Sequence, residues 1–120
     1  MPPEIEAQPK AAAAPQRSTR YLFVAKFKAT DVISGKQIEG LTTDLSEGGC
    51  CVLARRAPYS PGTQIRVEIS KNNLTLHADA TVIYNLKDQI MGLQFGSMNA
   101  EGEAILRNWI KAATPSLAAS

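Results

Sequence analysis

The sequence predicts an all-β fold completed by one terminal helix, a six-stranded antiparallel barrel with the helix laid over one opening. Three observations carry this. Between residues 21 and 95, six short segments alternate apolar and polar residues or run apolar for about five positions. Turn-forming residues separate them at close intervals. After residue 98 the period changes to that of a helix, and many short strands followed by a single helix are the pattern of a small closed sheet rather than of alternating β/α units.

The elements follow in order. Residues 1–15 hold four prolines and four consecutive alanines with little to bury, which reads as a flexible leader outside the fold. From Tyr21 the run YLFVAKFKAT alternates, with Phe23, Ala25 and Phe27 on one face and Leu22, Val24, Lys26 and Lys28 on the other. A turn at Ser34-Gly35-Lys36 leads to a second strand over 38–43, and CCVLA forms a third, stopped by Arg55-Arg56 and by Pro58 and Pro61. TQIRVEI turns Ile65, Val67 and Ile69 inward. Asn72-Asn73 then opens the longest strand, with Leu74, Leu76, Ala78, Ala80, Val82, Tyr84 and Leu86 on its inner face and Ile83 as the one break in the alternation. Lys87-Asp88 turns the chain into QIMGLQF, whose Gly92 marks a close backbone approach or a bend. Asn99 caps a helix that carries Glu101 and Glu103 in its first turn, presents Ile105, Leu106, Trp109 and Ile110 to the barrel, and stops before Pro115. The domain therefore spans 16–113, with 114–120 as a flexible tail.

Composition excludes several classes. A chain of 120 residues suits one domain that buries roughly two-thirds of its unfolded surface. No apolar run approaches the ~20 residues of a membrane-spanning helix, and the N-terminus MPPEIEAQPK lacks the basic and apolar segments of an export signal. The expectation is a cytoplasmic protein without a membrane span. Net charge is +2, and +3 without Glu4, Glu6 and Lys10; that mild excess suits a small anion and not long nucleic acid. Cys50 and Cys51 are neighbours, one on each face of a strand, so no metal-ligand spacing and no useful disulfide arises. His77 lies on a polar strand face with no nucleophile placed to form a relay, and Asp44 with Glu47 lack the cleft of a hydrolase pair. Neither a catalytic residue nor a cofactor is expected.

Thr43 to Gly49 reads TDLSEGG where a plain hairpin turn would serve. In the plainest reading Asp44 and Ser46 bond backbone amides and Gly48 or Gly49 supplies a positive φ. Gly48-Gly49 is not a phosphate loop of the kind that opens a helix, because a strand follows it. A second element precedes strand one: Gln16-Arg17-Ser18-Thr19-Arg20. Guanidinium groups fork onto phosphate oxygens or a guanine edge and stack on base faces, which an ammonium does less well.

Asp44-Leu45-Ser46-Glu47-Gly48-Gly49 resembles the D/N-x-S-x-x-G signature of PilZ domains, and the upstream basic element is similar to their R-x-x-x-R motif, with Arg20 as its second arginine. The resemblance covers residues 16 to 113, including the ending MGLQF and the helix. It implies a six-stranded PilZ-like barrel that receives the bacterial messenger cyclic di-GMP and acts on an unidentified protein effector, in processes such as motility or biofilm regulation. It also implies ligand contacts at Arg17, Arg20, Asp44, Ser46, Gly48 and Gly49, the arginines holding phosphates and guanine edges and the turn contacting a guanine. One departure stands out: Gln16 occupies the first arginine position and Arg17 is displaced by one. Exchanging a charged contact for a neutral one at Gln16 costs on the order of 1 kcal/mol, roughly five- to tenfold in affinity. Gln16 thus favours an alternative, a PilZ-like adaptor that works through protein contacts without the nucleotide. A barrel for single-stranded nucleic acid is a third reading, resting on Tyr21 and Tyr59 as exposed aromatics.

Overall fold

The structure, a computed structural model, describes residues 19–56 and 59–115. The alternating run from Tyr21 folds as two strands rather than one, β1 (Tyr21–Leu22) and β2 (Lys26–Asp31), both laid antiparallel to β3 (Gln37–Leu45). Thr42 explains the interruption. Its buried hydroxyl accepts from the Ala25 amide (3.0 Å) and donates to the Phe23 carbonyl (2.6 Å), standing in for ladder bonds where the chain bends. The predicted alternation holds through the bend: Phe23, Ala25 and Phe27 are buried, and Leu22, Val24, Lys26 and Lys28 are exposed.

Four more strands follow, β4 (Gly49–Leu53), β5 (Gln64–Lys71), β6 (Leu74–Leu86) and β7 (Ile90–Phe95). The sheet runs β2-β5-β6-β7-β4-β3 and closes by pairing β3 back to β2, with every contact antiparallel. Closure removes the exposed edges that an open sheet of these strands would present. The β5–β6 hairpin turns on two residues, Asn72-Asn73, both with positive φ, the conformation whose twist matches the flanking strands, and the β6–β7 hairpin turns on three, Lys87-Asp88-Gln89, the first two with positive φ. Two further residues, β8 (Thr114–Pro115), which the sequence reading assigned to the tail, pair with β1.

Ile65, Val67, Ile69, Leu76, Val82, Val52 and Met91 fill the barrel. Burying each such side chain contributes about 1.5–3 kcal/mol. The helix α1 (Ala100–Ala112) starts at Asn99, whose Oδ1 accepts from the Gly102 amide at 2.7 Å, and buries Ile105, Leu106 and Trp109 against the barrel. Trp109 meets Phe23 with ring centroids 5.0 Å apart. Tyr59, expected as an exposed aromatic, is instead buried, its hydroxyl donating to the Ala29 and Lys36 carbonyls; an aromatic in the barrel wall offers no face to a base.

The largest correction concerns β6. Val82 pairs with Leu93 and Tyr84 with Gly92, so Ile83 is an extra residue, a β-bulge. A one-residue slip turns every later side chain to the opposite face. Tyr84 and Leu86, expected inside, lie outside, and Asn85 turns inward to donate to the Tyr59 carbonyl at 2.8 Å. A second bulge falls at Thr43, between the pairs Thr42 with Val52 and Asp44 with Cys51. It turns Asp44 outward while Leu45, the next residue, stays fully buried.

Candidate functional site

The two bulges align one row of outward-facing residues across five strands. Leu22 is opposite Asp44, Asp44 opposite Cys51, Cys51 opposite Gly92, and Gly92 opposite Tyr84. Arg20 enters this row from just before β1. Its Nη2 lies 3.1 Å from Asp44 Oδ1, an ion pair with the arginine side chain 43% and the aspartate 22% exposed. Residues 24 apart in sequence are thereby brought together.

Tyr84 lies across the row rather than standing off it. A Cβ on Gly92 would fall 2.1 to 2.7 Å from three atoms of the Tyr84 ring, so only glycine leaves room for the ring to lie flat there. The close approach expected at Gly92 is therefore a side chain, not another strand. The Tyr84 hydroxyl reaches Cys51 Sγ at 3.3 Å and lies near enough to the Arg20 guanidinium to favour its charge. Arginine has no acceptor, so the phenol can only accept toward it, while the contact between Tyr84 and Cys51 is open to donation from either side. Partial burial works against the Arg20 charge, while Asp44 and then Tyr84 favour it, and the balance raises its pKa. Burial, seconded by Cys51, also raises the Tyr84 pKa against the opposing pull of Arg20. The row thus carries a fixed cation flanked by a carboxylate and a neutral phenol.

The turn beside the row is built by Ser46. Its Oγ accepts from the Gly49 amide and donates to the Gly49 carbonyl, both at 3.2 Å, and the Ser46 amide bonds the same carbonyl at 2.8 Å. Among the described glycines, positive φ occurs at Gly35 and Gly62, so the left-handed turn expected at Gly48 or Gly49 is absent. Gly49 is needed for another reason: a Cβ there would sit 1.9 Å from the Leu93 carbonyl oxygen of the neighbouring strand. Gly48 offers its carbonyl to the Phe95 amide at 2.8 Å. Cys50, the inward partner of Cys51, is buried, and burial pushes its thiol far above the usual cysteine range.

Arg20, Ser46, Gly48, Gly49, Ile83 and Tyr84 border a notch of about 70 Å³. Small-molecule sites that enclose their ligand run to roughly 300–1,000 Å³. This one is an open shelf on which a planar group could lie. A larger groove of about 630 Å³ runs along β5 and β6 past Glu68 and His77, but there Arg66 faces Asp79 at 3.8 Å and Glu68 leaves the lining net negative. The shelf therefore has the better chemistry for an anion.

Of the residues singled out in the sequence, Arg20, Asp44, Ser46, Gly48 and Gly49 converge, whereas Gln16 and Arg17 lie outside the described residues. Tyr84 was missed as a site residue. Its signal was present in Ile83, the single break in the β6 alternation. Among the described residues, no group of three or more His, Cys, Asp or Glu side chains could hold a metal ion, and no helix is long and apolar enough to cross a membrane.

Comparison with known proteins fits this geometry. Residues 15–112 match the PilZ domain. Curated proteins give no match. Among solved structures, the fold is similar to the PilZ domain of CeSA from a cellulose-synthesizing bacterium, with a TM-score of 0.63 and 18% identity over 77% of this chain and 94% of that one. It is also similar to the PilZ domain of YcgR from Escherichia coli, solved with c-di-GMP, at 0.65 and 18% over 80% and 88%. Bacillus subtilis inhibitor of motility, MotI/DgrA, gives 0.63 and 18% over 89% of this chain and 51% of its own length.

Proposed function

Because the chain belongs to the PilZ domain family, we propose that it is a cytoplasmic cyclic di-GMP receptor module that signals through a protein partner. It is a receptor and not an enzyme. The observation that carries the reading is the Arg20–Asp44 pair, which brings the end of the basic element and the start of the D-x-S-x-x-G turn to one edge of the shelf. The guanidinium supplies a forked donor for phosphate or a guanine edge, and the Asp44 carboxylate, with more acceptor positions than one ion pair uses, takes guanine N–H groups. Ser46, Gly48 and Gly49 shape the floor. Gln16 and Arg17 reach the ligand from the segment leading into Arg20 and close over it, an ordering step that acts as a switch because the ligand prefers the closed state.

The second reading, an adaptor without nucleotide binding, draws on Gln16 and on the fact that Arg20 and Asp44 already satisfy one another. One titration decides between them. With cyclic di-GMP added to tens of micromolar, amide shifts of Thr19, Arg20 and residues 44–49 move in a saturable way, and calorimetry on Arg20→Ala shows affinity reduced by about 2–5 kcal/mol. Amide signals that stay in place throughout would establish the adaptor instead.

A further inference from the structure

Resting on the receptor reading, we infer that Tyr84 is the positioning residue of the site: laid over Gly92 and anchored by Cys51, its hydroxyl fixes where the Arg20 guanidinium points. Three features converge on this. First, the Ile83 bulge turns Tyr84 from the core to the shelf. Second, Gly92 is empty of side chain directly beneath the ring, so the tyrosine reaches across β7 to Cys51 instead of projecting into water. Third, Arg20 and Tyr84 border the same notch, Asp44 holds the guanidinium at 3.1 Å, and the phenol is near enough to favour the guanidinium charge.

An arginine side chain has many rotamers to lose on being fixed. A single carboxylate contact fixes one nitrogen of the fork but leaves the plane free to turn. A second acceptor on a rigid ring removes that freedom before the ligand arrives, so the cost of ordering is met in the free protein and not at binding. Cys51 acts at one remove: its contact with the phenol oxygen at 3.3 Å holds the ring end in place beside Arg20.

Tyr84→Phe tests the inference, since the ring still covers Gly92 and only the hydroxyl is lost. Cyclic di-GMP should bind about tenfold more weakly, and Cys51→Ala should weaken it in the same direction by less. In an Arg20→Ala background, titrated by amide shifts up to millimolar ligand, Tyr84→Phe should change affinity less than twofold. A tenfold effect that survives there would mean that Tyr84 touches the ligand itself, and would overturn the positioning role. A readout without ligand separates this inference from the receptor reading: solvent exchange of the Arg20 Nε proton should be several-fold faster in Tyr84→Phe than in the parent protein. Unchanged exchange overturns the inference whether or not the parent protein binds the nucleotide. A parent protein that fails to bind overturns the receptor reading alone.

Discussion

Replacing Gly49 by alanine should damage the fold far more than replacing Gly92, although both glycines lie in paired strands close to the shelf. At Gly49 the new methyl would meet the Leu93 carbonyl oxygen at 1.9 Å and Gln94 Cα at 3.2 Å, all backbone of β7. An ordinary contact begins near 3.4 Å, so β4 and β7 must part locally by roughly 1.5 Å. That movement breaks the 2.8 Å bond from the Phe95 amide to Gly48 and disturbs the Ser46–Gly49 bonds beside it. Two or three lost bonds at about 1 kcal/mol each, with overpacking of about 1–3 kcal/mol, give a cost of about 3–6 kcal/mol. At Gly92 the obstruction is the Tyr84 ring, a side chain that can swing into water, and the cost is about 1–2 kcal/mol. Urea unfolding of both variants measures the difference, and in melting temperature the Gly49 variant should lose roughly 15 °C or more. Equal losses, or a larger one at Gly92, would refute the assignment of Gly49 to strand packing. The contrast bears on function as well. If Gly49 holds the sheet together, loss of ligand binding in a Gly49 variant says nothing about a contact between Gly49 and the nucleotide.

Three other outcomes are expected. Thr42→Val keeps the shape of the side chain but leaves the buried Ala25 amide and Phe23 carbonyl without their partner, which should lower stability by about 2–4 kcal/mol in urea unfolding; a loss under 0.5 kcal/mol would mean that the bend does not depend on the hydroxyl. Asn99→Ala should cost about 1 kcal/mol through the lost cap, visible as a lower melting temperature with the barrel otherwise intact. The Cys50 thiol holds its proton more tightly in the fold than its ordinary value of 9.0, so its contribution to stability is complete below pH 9 and is lost as pH rises further, by at most about 1.4 kcal/mol per unit. Unfolding curves from pH 8 to 10.5 should show that decline, and Cys50→Ala should make it shallower; identical slopes would count against a buried, protonated thiol.

Most of the fold was legible because burial and period agree over long stretches. Residues 64–70 of β5 and 75–82 of β6 alternate, and each alternate side chain from Ile65 to Ile69 and from Leu76 to Val82 is buried as the pattern requires, whereas Leu74, expected on the inner face, is exposed. The cap at Asn99 and the turns at Asn72-Asn73 and Lys87-Asp88 were readable because each rests on local backbone chemistry. What escaped depends on pairing between distant strands. Whether Thr43 is one more alternating residue or an insertion is decided by where Val52 and Cys51 fall on the other strand. The reason for Gly49 is likewise a carbonyl 44 residues away in sequence, invisible to any local rule. The positive φ expected there was a sound inference from adjacent glycines to a wrong cause.

The candidate site shows why these two kinds of error coincide. A regular six-stranded barrel would point Asp44 and Tyr84 inward, since each lies an even number of residues from a buried neighbour, Thr42 and Val82. Two carboxylate and phenol groups in that core would lack water, and an unpaired buried charge is among the costlier defects a domain can carry. One inserted residue on each strand reverses both side chains at once and sets them in a single cross-strand row with Cys51 and Gly92 between them. Because each bulge disrupts pairing only locally, the interior rows on either side, Leu45 with Cys50, Leu93 and Val82, and Thr42 with Val52 and Met91, stay closed. The shelf is therefore made without opening the core: its polar groups come from two breaks in register, and the same breaks are what hid Tyr84 from a reading by period alone.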